Sequence, residues 1–174
     1  MKTILSAIFF ISSIVSFSQN FDDLINEGRT LLGQRRYDQA FSKFNEAEKL
    51  DNKRIEAKYG AAVALSQKCW ITKNESDANK AIEALKRVEK IDDKFGNLNY
   101  NFSIVYFELK KYDLALQHIE KQIENGDKKD GDLFYQRGLV LVKKDRKKEA
   151  CKDFKKAEKL GAGGSAQAIE DYCN

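Results

Sequence analysis

Small and bulky apolar residues recur along this chain at a period of about 34 residues. Gly28, Ala40, Phe44 and Ala47 align with Ala62, Ala81, Leu85 and Val88. The same pattern returns as Ser103, Ala115, Ile119 and Gln122, and again as Gly138, Ala150, Phe154 and Ala157. A small residue, an alanine further on, a bulky apolar side chain four later and usually another small one three beyond that describes two helices meeting at fixed contacts. Repetition of that unit predicts a stack of helical hairpins. It does not predict a catalytic pocket.

Each unit divides into two apolar stripes at helical spacing. In the first, Leu24, Gly28, Leu31 and Leu32 precede Ala40, Phe41, Phe44, Ala47 and Leu50, with Asp38 placed as the N-cap of the second helix. In the second, Tyr59, Ala62, Val63 and Leu65 precede Ala81, Ile82, Leu85, Val88 and Ile91. Between them Gln67 to Asn79 reads as a longer turn carrying Cys69, Trp70 and Ile71, with the two apolar side chains either tucked over the stack or standing out from it. The third unit has Tyr100, Ser103, Ile104 and Phe107, then Ala115, Leu116, Ile119 and Ile123. Its turn, Lys110-Lys111-Tyr112-Asp113, echoes Arg35-Arg36-Tyr37-Asp38 at the matching offset. The fourth carries Phe134, Tyr135, Gly138, Leu139 and Leu141, then Ala150, Cys151, Phe154, Ala157 and Leu160. Gly161 to Gly164 end it, and Ser165 is placed to cap a short last helix whose Gln167, Glu170 and Asp171 give the stack a polar end.

The units fall at about residues 21–54, 55–95, 96–130 and 131–164, making an array over 19–164 closed by a capping helix at 165–174. Residues 1–18 are a different object. Lys2, an apolar run from Ile4 to Phe17 and small Ser16 and Ser18 form the layout of a signal peptide cut before Gln19. The run is shorter than the roughly 20 residues that span a bilayer. The expected location is therefore outside the cytoplasm, periplasmic or secreted, with no membrane span after cleavage.

Export gives the cysteines a meaning. Cys151 follows the alanine of the fourth unit, where the others have Phe41, Ile82 and Leu116 facing the next helix along. That next helix ends at Cys173, so a bridge between Cys151 and Cys173 would staple the last helix to the array, leaving Cys69 unpaired. Two reduced thiols packed as small apolar side chains are the alternative.

The absence of proline and only 10 glycines in 174 residues suit a helical body. A net charge of +4 names no partner class by itself. The one concentration runs from Lys143 to Lys159, with nine Lys or Arg against four acids, a basic face open to anionic lipid, polysaccharide or, less fittingly for an exported chain, nucleic acid. His118 is the only histidine and is expected to point to solvent beside the buried Ile119. No second histidine or close cysteine pair exists to complete a metal site, and no phosphate loop or nucleophile elbow is present. Cofactors, metals and catalysis are not expected.

The pattern resembles the tetratricopeptide repeat. The small eighth position is Gly28, Ala62, Ser103 and Gly138, and the alanine at the twentieth is present in all four units. The fourth position holds Leu24 and Phe134 but Lys58 and Asn99 in the middle units, and the proline near the thirty-second is replaced by Asn52, Asp93, Asp127 and Ala162. The resemblance implies an all-α, right-handed α-solenoid of about four helix–turn–helix units with a peptide-binding concave face. Carried over by position, that face is lined by Ile25, Asn26, Arg29, Tyr59, Val63, Tyr100, Asn101, Ile104, Tyr135, Gln136 and Leu139. Packing alone accounts for tyrosine and asparagine at such positions equally well. Ile and Tyr at the fifth positions lack the lysine of relatives that clamp a C-terminal carboxylate. The implied role is an exported scaffold for another protein or peptide in the bacterial envelope. A self-associating structural subunit, stacking through the open edge of the first unit, is the alternative.

Overall fold

The computed structural model describes residues 20–126 and 129–174, so the signal-peptide reading of residues 1–18 lies outside the described residues. Among the described residues nine helices follow one another: α1 (20–33), α2 (Tyr37–Leu50), α3 (Ile55–Thr72), α4 (Glu75–Glu89), α5 (Leu98–Glu108), α6 (Tyr112–Asn125), α7 (Gly131–Lys143), α8 (Lys147–Lys159) and α9 (Ser165–Cys173). They pair as hairpins, α3 with α4, α5 with α6 and α7 with α8, and the first helix of a later hairpin packs on both helices of the one before it, α5 on α3 and α4, α7 on α5 and α6. Because α3 packs on α5 and α5 on α7, these three helices form a continuous inner layer. The fold is an all-α solenoid.

The recurring positions are the contacts of this stack. Ala40, Ala81, Ala115 and Ala150 are completely buried, as are Leu85, Ile119 and Phe154 at the bulky position. Inner helices are enclosed on more than one side, which is why α5 buries Leu98, Asn99, Asn101, Phe102, Ser103, Ile104 and Val105 almost without interruption. Outer helices bury one stripe only; in α8 that stripe is Ala150, Asp153, Phe154 and Ala157.

Three hairpin turns are closed the same way. Arg35, Lys110 and Asp145 adopt φ near +59°, +57° and +59°. The following residue donates its N–H five residues back, Arg36 to Leu31, Lys111 to Tyr106 and Arg146 to Leu141. This arrangement ends one helix and starts the next within three residues. Asp38 is therefore not an N-cap: α2 begins at Tyr37, with Arg36 in the cap position and no side chain capping it. Asp38 instead accepts from Lys68 at 2.6 Å. Ser165 is likewise the first residue of α9, after Gly164 at φ +78°, and its hydroxyl is buried without a partner.

The second hairpin departs from the expected long turn. Residues 67–72 are helical, and α3 ends only at Lys73, left-handed at φ +51°. Asn74 then caps α4, its side-chain oxygen accepting from Ser76 and Asp77. The extra residues extend both helices rather than forming a loop.

At the C-terminal end, Cys151 and Cys173 are joined by a disulfide with a Cα–Cα distance of 5.6 Å. Tyr172 stacks on Phe154 at 6.0 Å beside it, so α9 covers the end of the last hairpin.

Candidate functional site

The inner layer encloses a groove of about 630 Å³ that runs from the first hairpin turn to the fourth unit. The end of α1 and its turn contribute Leu32, Gly33, Arg35 and Tyr37. The extended end of α3 adds Gln67, Trp70 and Ile71; α5 adds Tyr100, Asn101 and Ile104; α7 adds Asp132, Tyr135 and Gln136; Gly163 closes the far side. Phenols, amides and aliphatic side chains thus alternate along one channel, with a cation at one end and a carboxylate at the other.

Five of the residues expected on the concave face meet here: Tyr100, Asn101, Ile104, Tyr135 and Gln136. The others do not line the groove. Ile25 is 5% exposed and belongs to the core of the first hairpin. Tyr59 packs edge-on against Phe95 at 5.3 Å, and its hydroxyl accepts from the Asn97 N–H at 2.8 Å. That tyrosine holds the α4–α5 connection. Asn26 and Arg29 are exposed on α1 and Val63 is half-buried on α3, all apart from the lining. Leu139 packs into the C-terminal core.

Trp70 and Ile71 are the main lining residues that a loop reading hides. Once α3 continues past Gln67, the spacing of Val63, Gln67 and Trp70 carries the inner face on by two more turns. Trp70 tucks against Phe107, ring centroids 6.2 Å apart, while Ile71 stays 56% exposed at the rim.

The groove's polar groups have a defined state. Burial, and then the nearby Asp132 and Asp130 carboxylates, push the Tyr100 phenol up to about 12. Burial, and then Tyr172 and Asp171, raise Tyr135 as well. Both hydroxyls therefore keep their protons and can donate. Gln136 is 2% exposed, and its amide Nε2 has no hydrogen-bond partner. A buried amide left in that state is costly until a water or another polar group completes the pairing.

His118 does not point to solvent. Its ring stacks on Phe102 at 4.6 Å and on Tyr106 at 5.4 Å, and Nδ1 lies 2.9 Å from the Asn99 side-chain oxygen. Burial pushes its pKa down to about 4, with Lys121 acting the same way, so the ring is a neutral packing element between α5 and α6. Cys69 is fully buried, and its thiol is pushed up to about 11 by burial and by Glu108 and Asp77. Neither group is poised as nucleophile or base. No group of three or more His, Cys, Asp or Glu side chains suited to a metal ion occurs among the described residues, and none of their helices is long and apolar enough to cross a membrane.

Residues 131–160, the α7–α8 hairpin, match the tetratricopeptide repeat family model. No curated protein matches the sequence. Among solved structures, a tetratricopeptide repeat protein from Parabacteroides merdae superposes with a TM-score of 0.73 at 18% identity, over 92% of this chain and 60% of its own. MamA from Desulfovibrio magneticus RS-1 gives 0.63 at 20% identity, over 82% of this chain and 76% of its own. YrrB, described as a tetratricopeptide-repeat protein with an unusual peptide-binding site, gives 0.51 at 16% identity, over 93% and 97%. At these identities the likeness is one of fold. The chain is thus a solenoid with the fold of tetratricopeptide-repeat proteins, carrying a matched repeat of that family at 131–160.

Proposed function

We propose that this chain is an exported, non-catalytic scaffold of the bacterial cell envelope that holds an extended segment of another protein in the groove between α3, α5 and α7. The observation that carries the reading is the channel itself: Trp70, Ile71 and Ile104 offer apolar contact beside the neutral phenols of Tyr100 and Tyr135 and the unpaired amide of Gln136. Backbone carbonyls of a peptide are the acceptors such donors need. Arg35 and Asp132 favour acidic side chains at the first-hairpin end and basic ones at the fourth. The groove is preformed on packed helices, so little ordering cost falls on binding. The apolar run and small-residue exit at residues 4–18 support export.

The test uses the mature chain and its single tryptophan. Immobilised peptides tiled from envelope proteins should be retained by the wild type and titrated through Trp70 fluorescence. Changing Tyr100 and Tyr135 together to Ala should weaken that binding at least about tenfold, since truncating aromatic anchors typically costs 1 kcal/mol or more each. Tyr59→Ala is not informative, because it removes a structural hydrogen bond. An unchanged set of bound peptides in the double variant would end the groove reading. Intact mass of the chain from an envelope fraction should begin at Gln19; a full-length chain in the cytoplasm would end the export reading.

A further inference from the structure

The outer face of α8 differs from the outer faces of the other second helices at equivalent positions. Counting from the buried alanine of each hairpin, four surface positions, exposed throughout except for the half-buried Asn45, form one stripe at spacings of four, three and four. In α8 they are Lys148, Lys152, Lys155 and Lys159. In α2 they are Asp38, Ser42, Asn45 and Lys49; in and just beyond α4, Asn79, Glu83, Lys86 and Lys90. In α6, the neighbouring second helix, they are Asp113, Gln117, Glu120 and Glu124. The fold asks nothing of these positions, so four lysines beside three acids is a property of this sequence and not of the repeat.

The lysines also have no direct bond among the described residues, although Lys152 lies near enough to Glu149 to help lower its pKa. None of Lys148, Lys152, Lys155 and Lys159 makes a hydrogen bond or ion pair among the described residues, although all are exposed. The acids that could serve them are partly tied elsewhere: Glu149 to Arg146 at 2.7 Å, and Asp153 to Arg137 at 2.7 Å beneath the surface. Glu120 and Glu124 are exposed and make no ion pair among the described residues, and Glu120 lies near enough to Arg137 and Arg146 to act on both, which places the acidic stripe along the border of the fourth unit. Asp113 is bonded to Lys144 while its side chain stays 90% exposed.

We propose that the lysine stripe of α8 docks on the α6 stripe Asp113–Gln117–Glu120–Glu124 of a second copy of this chain, pairing two chains about a two-fold axis between α6 and α8. As second helices of successive hairpins, α6 and α8 run in the same direction. A two-fold axis parallel to them lays each α8 on the partner's α6, also in the same direction. Lys148 then faces Asp113 of the partner subunit, Lys155 faces Glu120 of the partner subunit, and Lys159 faces Glu124 of the partner subunit. Such an interface is isologous, so both stripes are used twice and the pair closes without growing into a filament. The contact is about 16 Å long from the rise of the helix. An anionic bilayer fits less well, because the acids of α6 would be pressed against the same surface. Nucleic acid fits less well too, since the stripe holds neither arginine nor an aromatic side chain.

Exposed charge pairs are individually weak and screened by salt, so the pairing is reversible and electrolyte-sensitive. Sedimentation equilibrium of the mature chain at about 20 mM and about 0.5 M salt should show a dimer whose dissociation constant rises at least about tenfold at the higher salt. One variant carries Lys152→Glu, Lys155→Glu and Lys159→Glu; a second carries Glu120→Lys and Glu124→Lys. Each alone should be monomeric at low salt, and an equimolar mixture of the two should dimerise again, because each variant's α8 then meets the opposite charge on the other's α6. The recovery in the mixture also shows that both variants are folded. A wild type that stays monomeric at low salt would overturn the proposal, as would a mixture that fails to associate. Binding of the wild type to phosphatidylglycerol vesicles or to duplex DNA, lost in the first variant without any dimer in either, would assign the stripe to that anion instead.

Discussion

Phe44 and Phe154 sit at the same place in the first and fourth hairpins, and each is locked by a neighbour's missing side chain. A Cβ on Gly28 or Gly60 would fall 2.7 or 2.4 Å from the Phe44 ring, and one on Gly138 2.5 Å from Phe154. The rings are 1% and 0% exposed and have nowhere to move. Gly138→Ala should therefore lose about 1–3 kcal/mol to overpacking, even though alanine is the better helix former by about 1 kcal/mol. Urea unfolding reads this directly, and a raised midpoint would show that the ring has room. The register of Gly28 and Gly138 against the bulky position was readable in the sequence because close approach demands small residues. Gln122 was not readable. It stands where the other units have Ala47, Val88 and Ala157, and its side-chain oxygen accepts from the Asn99 and Tyr100 N–H groups at 3.1 and 3.4 Å, covering the open start of α5. No local pattern announces a cap supplied from another helix. The same holds for His118, whose aromatic neighbours lie on α5. Its folded pKa of about 4 stands below the ordinary 6.5, so the unfolded chain binds the proton first as the pH falls. Stability should be constant above about 6.5 and decline toward about pH 4, by roughly 1–2 kcal/mol once the part-exposed ring is discounted for solvent screening. The His118→Phe chain should lack that decline between pH 7 and pH 5; equal slopes for both would refute the assignment. Cys69, with a thiol near 11 and no exposed surface, should resist iodoacetamide in the folded protein and react once urea unfolds it.

At the level of elements, the helices follow from apolar periodicity, and the departures come from signals acting over shorter or longer range. The turns were legible as Arg-Arg-Tyr-Asp and its echo, yet the capping role given to Asp38 was displaced because the left-handed Arg35 already satisfies the end of α1 through the backbone. Residues 67–72 contain no glycine or proline to stop a helix, so α3 simply continues, and the polar run after it supplies the real N-cap in Asn74. That continuation is what brings Trp70 into the groove, so one boundary decided how much of the candidate site the sequence disclosed. Tyr59 shows the opposite failure: a residue correctly placed on an inner helix spends its hydroxyl on the chain's own Asn97. The α9 helix depends on a covalent tie as much as on packing. It has only 9 residues, too few to be stable alone, and the bridge spans 22 positions of sequence. Replacing Cys151 and Cys173 together by Ser should lower stability by about 2–4 kcal/mol. Hydrogen exchange should show the loss first in α9. Equal protection of α9 with and without the bridge would assign its stability to Tyr172 and Phe154 instead.

Across the whole molecule, stability passes from hairpin to hairpin, because contacts in a solenoid reach only the neighbours. Three buried clusters mark this: one from Phe21 to Ala64, one from Ala62 to Val105, and one from Ala115 to Ala168. The first two share α3 and are continuous. The second and third meet across α5 and α6, where Phe102 stacks on His118 and Tyr106, and where Phe107 packs with Tyr112. Phe102 is 1% exposed, so Phe102→Ala should cost about 3–5 kcal/mol, and it removes the largest fully buried side chain of that junction. Weakening a junction more than the blocks on either side should also divide the transition. Trp70, the only tryptophan, lies on α3, the helix shared by the first two clusters, with its ring against Phe107 of α5, whereas far-UV circular dichroism reports every helix. In the wild type the two probes should unfold together in urea. In the Phe102→Ala chain the fluorescence transition should separate from the dichroism, with the disulfide-tied α7–α8–α9 block melting last. Coincident transitions in the variant would mean that the α5–α7 and α6–α7 contacts alone couple the two halves, and that the aromatic stack around His118 is local packing without a part in cooperativity.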